Sequence, residues 1–514
     1  NWFPVNDHPA DKARFTFDVT APTGLEVVAN GRLESQTPSG GETRWVWQAR
    51  APMAPYLATV DIGEFELDQY TSPGGRPGGI SYVDAVDPDL FVPVQPRTGT
   101  QYAFSQVADS TYKRLSRTIV VPPGGATMTF WINRDTELDW DHVAVEARTV
   151  SENDWTTLPD ANGHTSPSTA DSCPTWLQLH PFLTHYQTPN GNQPCTATGS
   201  SGAWNAASGR SDGWEQWSVD LGEFADSTAE VSISYISDDT VQSSGVLVDD
   251  IVVSTGEGTT SFEDDGNELD GWTVPGAPSG SPANANDWTV ATTEEGPPPL
   301  GENVEASLRR QPDIIRFLAE RFGPYPFADA GAIVDDLRDV GFALENQTRP
   351  VYAPEFFVDP VEGDAVVVHE QAHQWFGDSV SLRTWRDIWL NEGFASMAEW
   401  LWMEQTEGAD QMRQFVQGVY RYARDGQLRA PGDPLPGNLF DSSVYMRGGL
   451  VLYALRAELG DDAFFRTIKA YHTQYRNSNA NTADFIAVAE RESGKDLNAF
   501  FDKWLYGDEV PDLP

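Results

Sequence analysis

The sequence predicts a multidomain α+β protein, and three observations predict it. Residues 1 to about 80 alternate like strands with period two, broken by Gly and Pro turns. Residues 100–298 carry strand-like runs with almost no helical periodicity. Beyond about residue 302 apolar residues recur at helical spacing, and this part holds His369-Glu370-Gln371-Ala372-His373. The expected division is therefore a β-domain over 1–85, an inserted all-β sandwich over 100–298, and a mostly helical domain built from 86–99 and 299–514.

In the first stretch, Arg14 to Val19 and Trp45 to Gln48 read as strands, and Tyr82 to Val86 adds another. In the middle stretch, Ala126 to Ile132 and Val231 to Ile236 have the same character, and Pro297-Pro298-Pro299 marks the far edge. Its many Trp residues suit core packing, with a glycan-binding face as the alternative. The only cysteines, Cys173 and Cys195, fall in one Gly/Ser/Thr/Asn/Pro-rich region of it. A disulfide between them fits an oxidising compartment, whereas two free thiols would need a reducing one. In the last stretch, Val304 to Phe322 reads as helix, Ala332 to Val340 as a short β segment, and amphipathic helices run to about Tyr506.

The chain has 514 residues, 77 acidic and 33 basic, for a net charge of −44. Lysine occurs only at Lys12, Lys113, Lys469, Lys495 and Lys503. Such a surface repels nucleic acid and anionic membrane and stays soluble in salt. It fits a secreted or salt-adapted protein, and compositional drift of the host genome is the plainer alternative. No run of 18 apolar residues is present, so no membrane span is expected. The chain starts at Asn1 without Met, so a targeting segment upstream of it is expected to have been removed.

The His369/His373 pair carries the chemistry. Residues four apart on a helix point the same way, so both imidazoles reach one metal ion, and Glu370 reaches water beside it. Trp389-Leu390-Asn391-Glu392-Gly393 then supplies a distant carboxylate. Two His and one Glu leave the fourth position open, which marks a catalytic zinc set. An accidental match would leave solvated or core histidines. The apolar run Ala365 to Val368 and the helical spacing of Phe394, Met397, Ala398 and Leu401 instead bury both helices, and buried inward ligands need a partner.

These motifs resemble those of the M1 family of zinc aminopeptidases, of the gluzincin clan. His369-Glu370-Gln371-Ala372-His373 and Asn391-Glu392-Gly393-Phe394-Ala395 match its zinc pattern. Gly323-Pro324-Tyr325-Pro326-Phe327 looks like the segment before its edge strand, and Phe342-Ala343-Leu344-Glu345-Asn346 stands where the family has Gly-Ala-Met-Glu-Asn. Leu439-Phe440-Asp441 with Tyr445-Met446-Arg447-Gly448 is similar to the segment carrying its catalytic tyrosine. Trp2-Phe3-Pro4, Asp7-His8-Pro9 and Pro52 to Leu57 are similar to its amino-terminal β-domain, here partial.

The resemblance implies a thermolysin-like helical zinc domain and one catalytic Zn2+ on His369, His373 and Glu392. It implies Glu370 as general base, Tyr445 as donor to the oxyanion, and Glu345 as holder of the substrate's free α-ammonium. Asn346, Ala343 and Leu344 would line the substrate groove, and the substrates would be peptides with a free N-terminus. Phe342 departs from the family's Gly and is expected to narrow or reshape that groove. A second amine-binding residue of the family would precede Asn1.

The insert resembles jelly-roll modules of the MAM-like kind found on secreted peptidases of the immune-inhibitor-A type, on Val248-Asp249-Asp250-Ile251, Phe262-Glu263-Asp264-Asp265 and Asp270-Gly271-Trp272. Such modules often hold calcium, for which Glu137, Asp139, Asp249 and Asp250 offer hard oxygen ligands. A solvated acidic loop is the alternative for the same residues. Two other functions remain open: a secreted endopeptidase of the same zinc chemistry, and a surface-binding protein whose insert docks a protein or glycan.

Overall fold

The computed structural model describes residues 2–72, 79–170, 172–191, 193–239, 242–264, 269–337 and 340–513. Asp265 and residues 338–339 of the expected β segment lie outside the described residues. The chain forms two compact units. One joins Asn1–Phe91 to Leu300–Pro514, and the other is Val92–Pro299.

The first unit begins with an antiparallel sheet in which Glu42–Met53 lies between Ala13–Pro22 and Arg32–Ser39. Period-two alternation builds it. Trp45, Trp47 and Ala49 face inward with Phe17, while Arg44 faces solvent and pairs with Asp18. A second ladder, Glu26–Ala29 with Val60–Gly63, shares this core, and the Trp47 indole donates to the Val27 carbonyl at 2.9 Å.

The strand expected at Tyr82 to Val86 is part of a different sheet, which corrects the boundary drawn at residue 85. Ile80–Val86 runs parallel to Asp329–Val334, in the order Ala343–Leu344, Val351–Tyr352, Asp329–Val334, Ile80–Val86, Glu66–Ser72. Its two faces explain this. Ile80, Tyr82 and Val86 pack into the helical core, and Val83 and Ala85 into the core of the N-terminal sheet. A strand buried on both faces belongs in the centre of a sheet. The segment expected as strand over Ala332 to Val340 ends at Val334, where Asp335 and Asp336 follow, residues depleted in strands.

Arg349 ties these layers together. It is fully buried, and its guanidinium donates to the carbonyls of Gly31 at 2.8 Å, Val83 at 3.0 Å and Ala29 at 3.4 Å, and to Ala330. Gly331 makes room for it, since a Cβ there would meet the Val83 carbonyl and the Arg349 guanidinium.

The helices follow. The stretch expected as one helix over Val304 to Phe322 is two, Leu300–Leu308 and Gln311–Phe322, because Pro312 suits a first turn and not an interior. Pro360–His373 starts on Asp359, whose carboxylate accepts from the amides of Val361 and Glu362, with Pro360 in the first turn. Trp389–Thr406, Ala409–Arg424, Gly448–Leu459, Asp461–Tyr475, Thr482–Ser493 and Asn498–Tyr506 complete the set. Val367, Val368, Ala372, Phe394, Met397 and Ala398 sit in their common core.

The second unit has two antiparallel sheets. One runs Glu215–Asp220, Thr127–Asp135, Gly245–Val253, Gln101–Phe104, Thr289–Thr292. The other runs Thr156–Leu158, His142–Thr149, Ser227–Ile236, Tyr112–Val121. Met128, Phe130, Ile132 and Val248 from the first meet Leu115, Val143, Val145 and Ile233 from the second in one core, so the two sheets form a sandwich. Residues 92–99, expected with the helical domain, belong here: the amides of Arg97 and Thr98 donate to Asp249, and the Trp214 indole to the Gln95 carbonyl. Trp155, Trp176, Trp204, Trp217, Trp272 and Trp288 are buried, which favours core packing over a glycan-binding face for these six. Cys173 and Cys195 are joined by a disulfide.

Arg349→Met should leave several buried carbonyls short of donors and cost about 3 kcal/mol of stability. Chemical denaturation followed by tryptophan fluorescence measures it, and an unchanged midpoint would contradict the role given to Arg349.

Candidate metal centre and active site

His369 and His373 lie one turn apart on Pro360–His373, and Glu392 enters from the first turn of Trp389–Thr406. The Nε2 atoms of both histidines stand 3.4 Å from the same oxygen, Glu392 Oε2. Two ligands bonded to zinc at about 2.0–2.1 Å in a tetrahedron are separated by about 3.3 Å. The three donors therefore fit zinc in spacing as well as type, and their ligand atoms all lie within 4.8 Å of one another.

The other ring nitrogens are engaged, which turns Nε2 toward the centre. His373 Nδ1 bonds the Phe376 carbonyl at 3.1 Å, and His369 Nδ1 bonds the Glu399 carboxylate. Glu399 is a functional residue that sequence reasoning missed. Its signal was present: it falls two helical turns after Glu392, on the same face.

Charge balance supports a cation at this place. Burial alone would neutralise His373, but Glu392 holds it up at about 9. Burial also works against the charge of Glu392, yet His373 and His369 hold it down at about 2. Burial pushes Glu370 up to about 7, against the pull of the two histidines. Glu370 Oε2 is buried without a hydrogen-bond partner among the described residues. Such an atom suits exchange of a proton with a substrate water.

Tyr445 stands on a π-helical turn, Ser443–Arg447, and its ring stacks on His369 at 6.0 Å. Burial raises its phenol, so it remains a donor at neutral pH. Two neighbours set its position. The Arg447 guanidinium donates to the Gly507 carbonyl at 2.5 Å. Gly448 crosses Gly393, where a Cβ on Gly393 would meet Gly448 backbone at 2.8 Å. This crossing brings the helix of Glu392 and the turn of Tyr445 together.

Ala343–Leu344 is the outermost strand of the five-stranded sheet, antiparallel to Val351–Tyr352. An edge strand offers unpaired backbone groups to an extended peptide. Glu345 follows it, 7 % exposed, and accepts a hydrogen bond from Tyr56 at 2.9 Å. Asn346, expected in the groove, is instead buried, and its amide donates to the Leu57 carbonyl at 3.0 Å. Its side chain locks the segment in place rather than facing the groove. Phe342 is 58 % exposed.

After the His helix, Asp378 is fully buried, and burial pushes its carboxyl up. Lys12 comes from the N-terminal stretch to donate to the carbonyls of Asp378 at 2.6 Å and Ser379 at 3.1 Å. Sequence reasoning gave neither residue a role, because the pair is far apart along the chain.

The expected calcium set is not one site. Asp249 takes the amides of Arg97 and Thr98, and Asp250 takes the Thr98 hydroxyl. Asp249 pairs in register with Trp131 in mid-strand, while Glu137 and Asp139 lie past the end of that strand at Asp135. Glu137 instead gathers with Asp141 and Asp238.

Glu399→Gln should lower zinc affinity by about 10- to 100-fold, as loss of a partner to a ligand histidine does. Competition with a chromophoric chelator measures it, and unchanged affinity would remove Glu399 from the site.

Comparison with known proteins agrees with this geometry. Residues 307–504 match the profile of the Peptidase family M1 domain. Aminopeptidase N of Lactococcus lactis subsp. lactis is 35 % identical over 161 residues, 29 % of this chain and 19 % of that protein. Aminopeptidase M1 of Arabidopsis thaliana is 31 % identical over 202 residues, 38 % of this chain and 21 % of that protein. The matched stretches thus span about a fifth of these relatives' length. A crystal structure of an M1 zinc metallopeptidase variant from Deinococcus radiodurans, bound to a Tyr-Ser-Ala substrate, aligns at 19 % identity with a TM-score of 0.52, covering 100 % of this chain and 68 % of that one. That likeness bears on the fold. The sequence match and the metal-ligand geometry inside it lead to one conclusion: residues 307–504 are a peptidase family M1 domain.

Proposed function

We propose that this protein is a zinc aminopeptidase that removes N-terminal residues from peptides. The observation that carries the reading is the placement of Glu345 beside an edge strand, with Glu370 and Tyr445 around the His369, His373 and Glu392 set. The curated relatives are aminopeptidases, which supports it.

His369, His373 and Glu392 would hold zinc, which when bound would supply Lewis-acid activation of water and of the scissile carbonyl. Glu370 takes a proton from the attacking water and later delivers it to the leaving amine. A carboxyl raised toward 7 by burial suits both halves of that task. Tyr445 donates to the oxyanion of the tetrahedral intermediate, a contribution of about 3 kcal/mol for one such donor. The substrate backbone pairs with Ala343–Leu344, and Glu345 holds its α-ammonium. That contact fixes the scissile bond one residue from the end.

For Val92–Pro299 we propose a MAM-like jelly-roll module, a reading its two packed antiparallel sheets support. We also propose secretion, supported by the Cys173–Cys195 bond and the net charge of −44.

Glu370→Gln should retain stoichiometric zinc and lose at least about 1,000-fold in kcat. Zinc analysis with a fluorogenic amino-acid amide assay checks this, and near-normal turnover would sink the mechanism. Glu345→Ala should weaken hydrolysis of a free-amine peptide much more than that of its acetylated counterpart. Preference for the acetylated peptide by the unmodified protein would favour an endopeptidase.

A further inference from the structure

Glu345 is a single carboxylate asked to fix a substrate terminus, so something must fix Glu345. Among the described residues, the hydrogen bond its carboxylate receives comes from the N-terminal β part. Pro55–Leu57 is a 3-10 turn in the N-terminal β part, and Tyr56 reaches from it to place its hydroxyl 2.9 Å from Glu345 Oε1. The same turn is stitched to the segment after Glu345. The Leu57 carbonyl accepts from both Asn30 and Asn346 at 3.0 Å, Asn30 also donates to the Gln347 carbonyl at 2.9 Å, and the Gly31 amide donates to Thr348 at 2.8 Å. The ring of Tyr56 is held in turn by Trp385, edge-on at 5.0 Å.

We propose that Tyr56 is a positioning residue for substrate amines, orienting Glu345 by a neutral hydrogen bond that leaves its negative charge intact. The inference rests on the reading of Glu345 as the amine-binding carboxylate. The chemistry of the donor matters. A Lys or Arg in this place would neutralise Glu345 and compete with the substrate ammonium. A phenol occupies one lone pair of Oε1 and leaves the other oxygen for the ligand. Burial and the nearby Glu345 keep the Tyr56 phenol protonated, so it stays a donor. The ligand class is any peptide or amino-acid derivative with a protonated α-amine.

The test uses Tyr56→Phe in the zinc-loaded full chain, which keeps the ring against Trp385 and removes one oxygen. KM for a free-amine amino-acid amide is expected to rise about tenfold, with kcat changed by less than about twofold. Hydrolysis of an acetylated peptide should be unaffected. In a Glu345→Ala background the same substitution should add nothing, because Tyr56 acts through Glu345. An unchanged KM, a further loss in the Glu345→Ala background, or loss of zinc or of the thermal transition in Tyr56→Phe each overturns the proposal. Glu345→Ala alone separates the two levels. Equal losses on free and acetylated substrates sink the aminopeptidase reading. A loss confined to free amines, with Tyr56→Phe unaffected, sinks only the role of Tyr56.

Discussion

The candidate metal centre is arranged around one buried charge, that of Glu392. Its carboxylate is 3 % exposed and shared between two imidazoles. Removing one partner from such a buried set leaves an uncompensated charge, which is expensive, so the surrounding parts hold it in register. Glu399 and the Phe376 carbonyl aim the imidazoles. The Gly393–Gly448 crossing brings the turn of Tyr445 against the same helix. Glu370 inherits its raised proton affinity from the same burial. The grouping of these ligands and the raised proton affinity of Glu370 thus share one cause, the exclusion of water from a helical core that contains charged groups.

A second constraint builds the edge-strand side of the site. Ile80–Val86 is buried on both faces, one against the helices and one against the N-terminal sheet. It pairs in parallel with Asp329–Val334, across the whole intervening unit of the chain. Arg349 completes the joint from within, by donating to carbonyls of both parts. The N-terminal β part is therefore built into the site. Lys12 and Tyr56, both from it, reach the loop behind the His helix and the carboxylate at the edge strand.

The metal set was legible in the sequence because helical geometry is local. Spacing of four fixes the relative direction of His369 and His373 whatever the rest of the chain does. The strand around Trp45 was legible for the same reason, since alternation of period two is a local signature of a half-buried sheet. The boundaries were less so. Val304 to Phe322 reads as one helix until Pro312 is weighed, and Ile80–Val86 carries no mark of which sheet it joins. The expected calcium ligands failed because acidic residues from two distant parts of the chain need not converge: Asp249 and Asp250 are absorbed by the Arg97–Thr98 backbone and side chain.

The sequence alone determined the make-up of the candidate metal set: donor types, their spacing on helices, and a neighbouring carboxylate. Those are properties of one or two turns of backbone, and local propensity settles them. Only the tertiary structure decided what surrounds that chemistry. Gly448 against Gly393, Lys12 at Asp378 and Tyr56 on Glu345 are contacts between segments far apart in the chain. No residue type or spacing encodes such pairs, because they exist only where packing of buried apolar faces has brought the segments together.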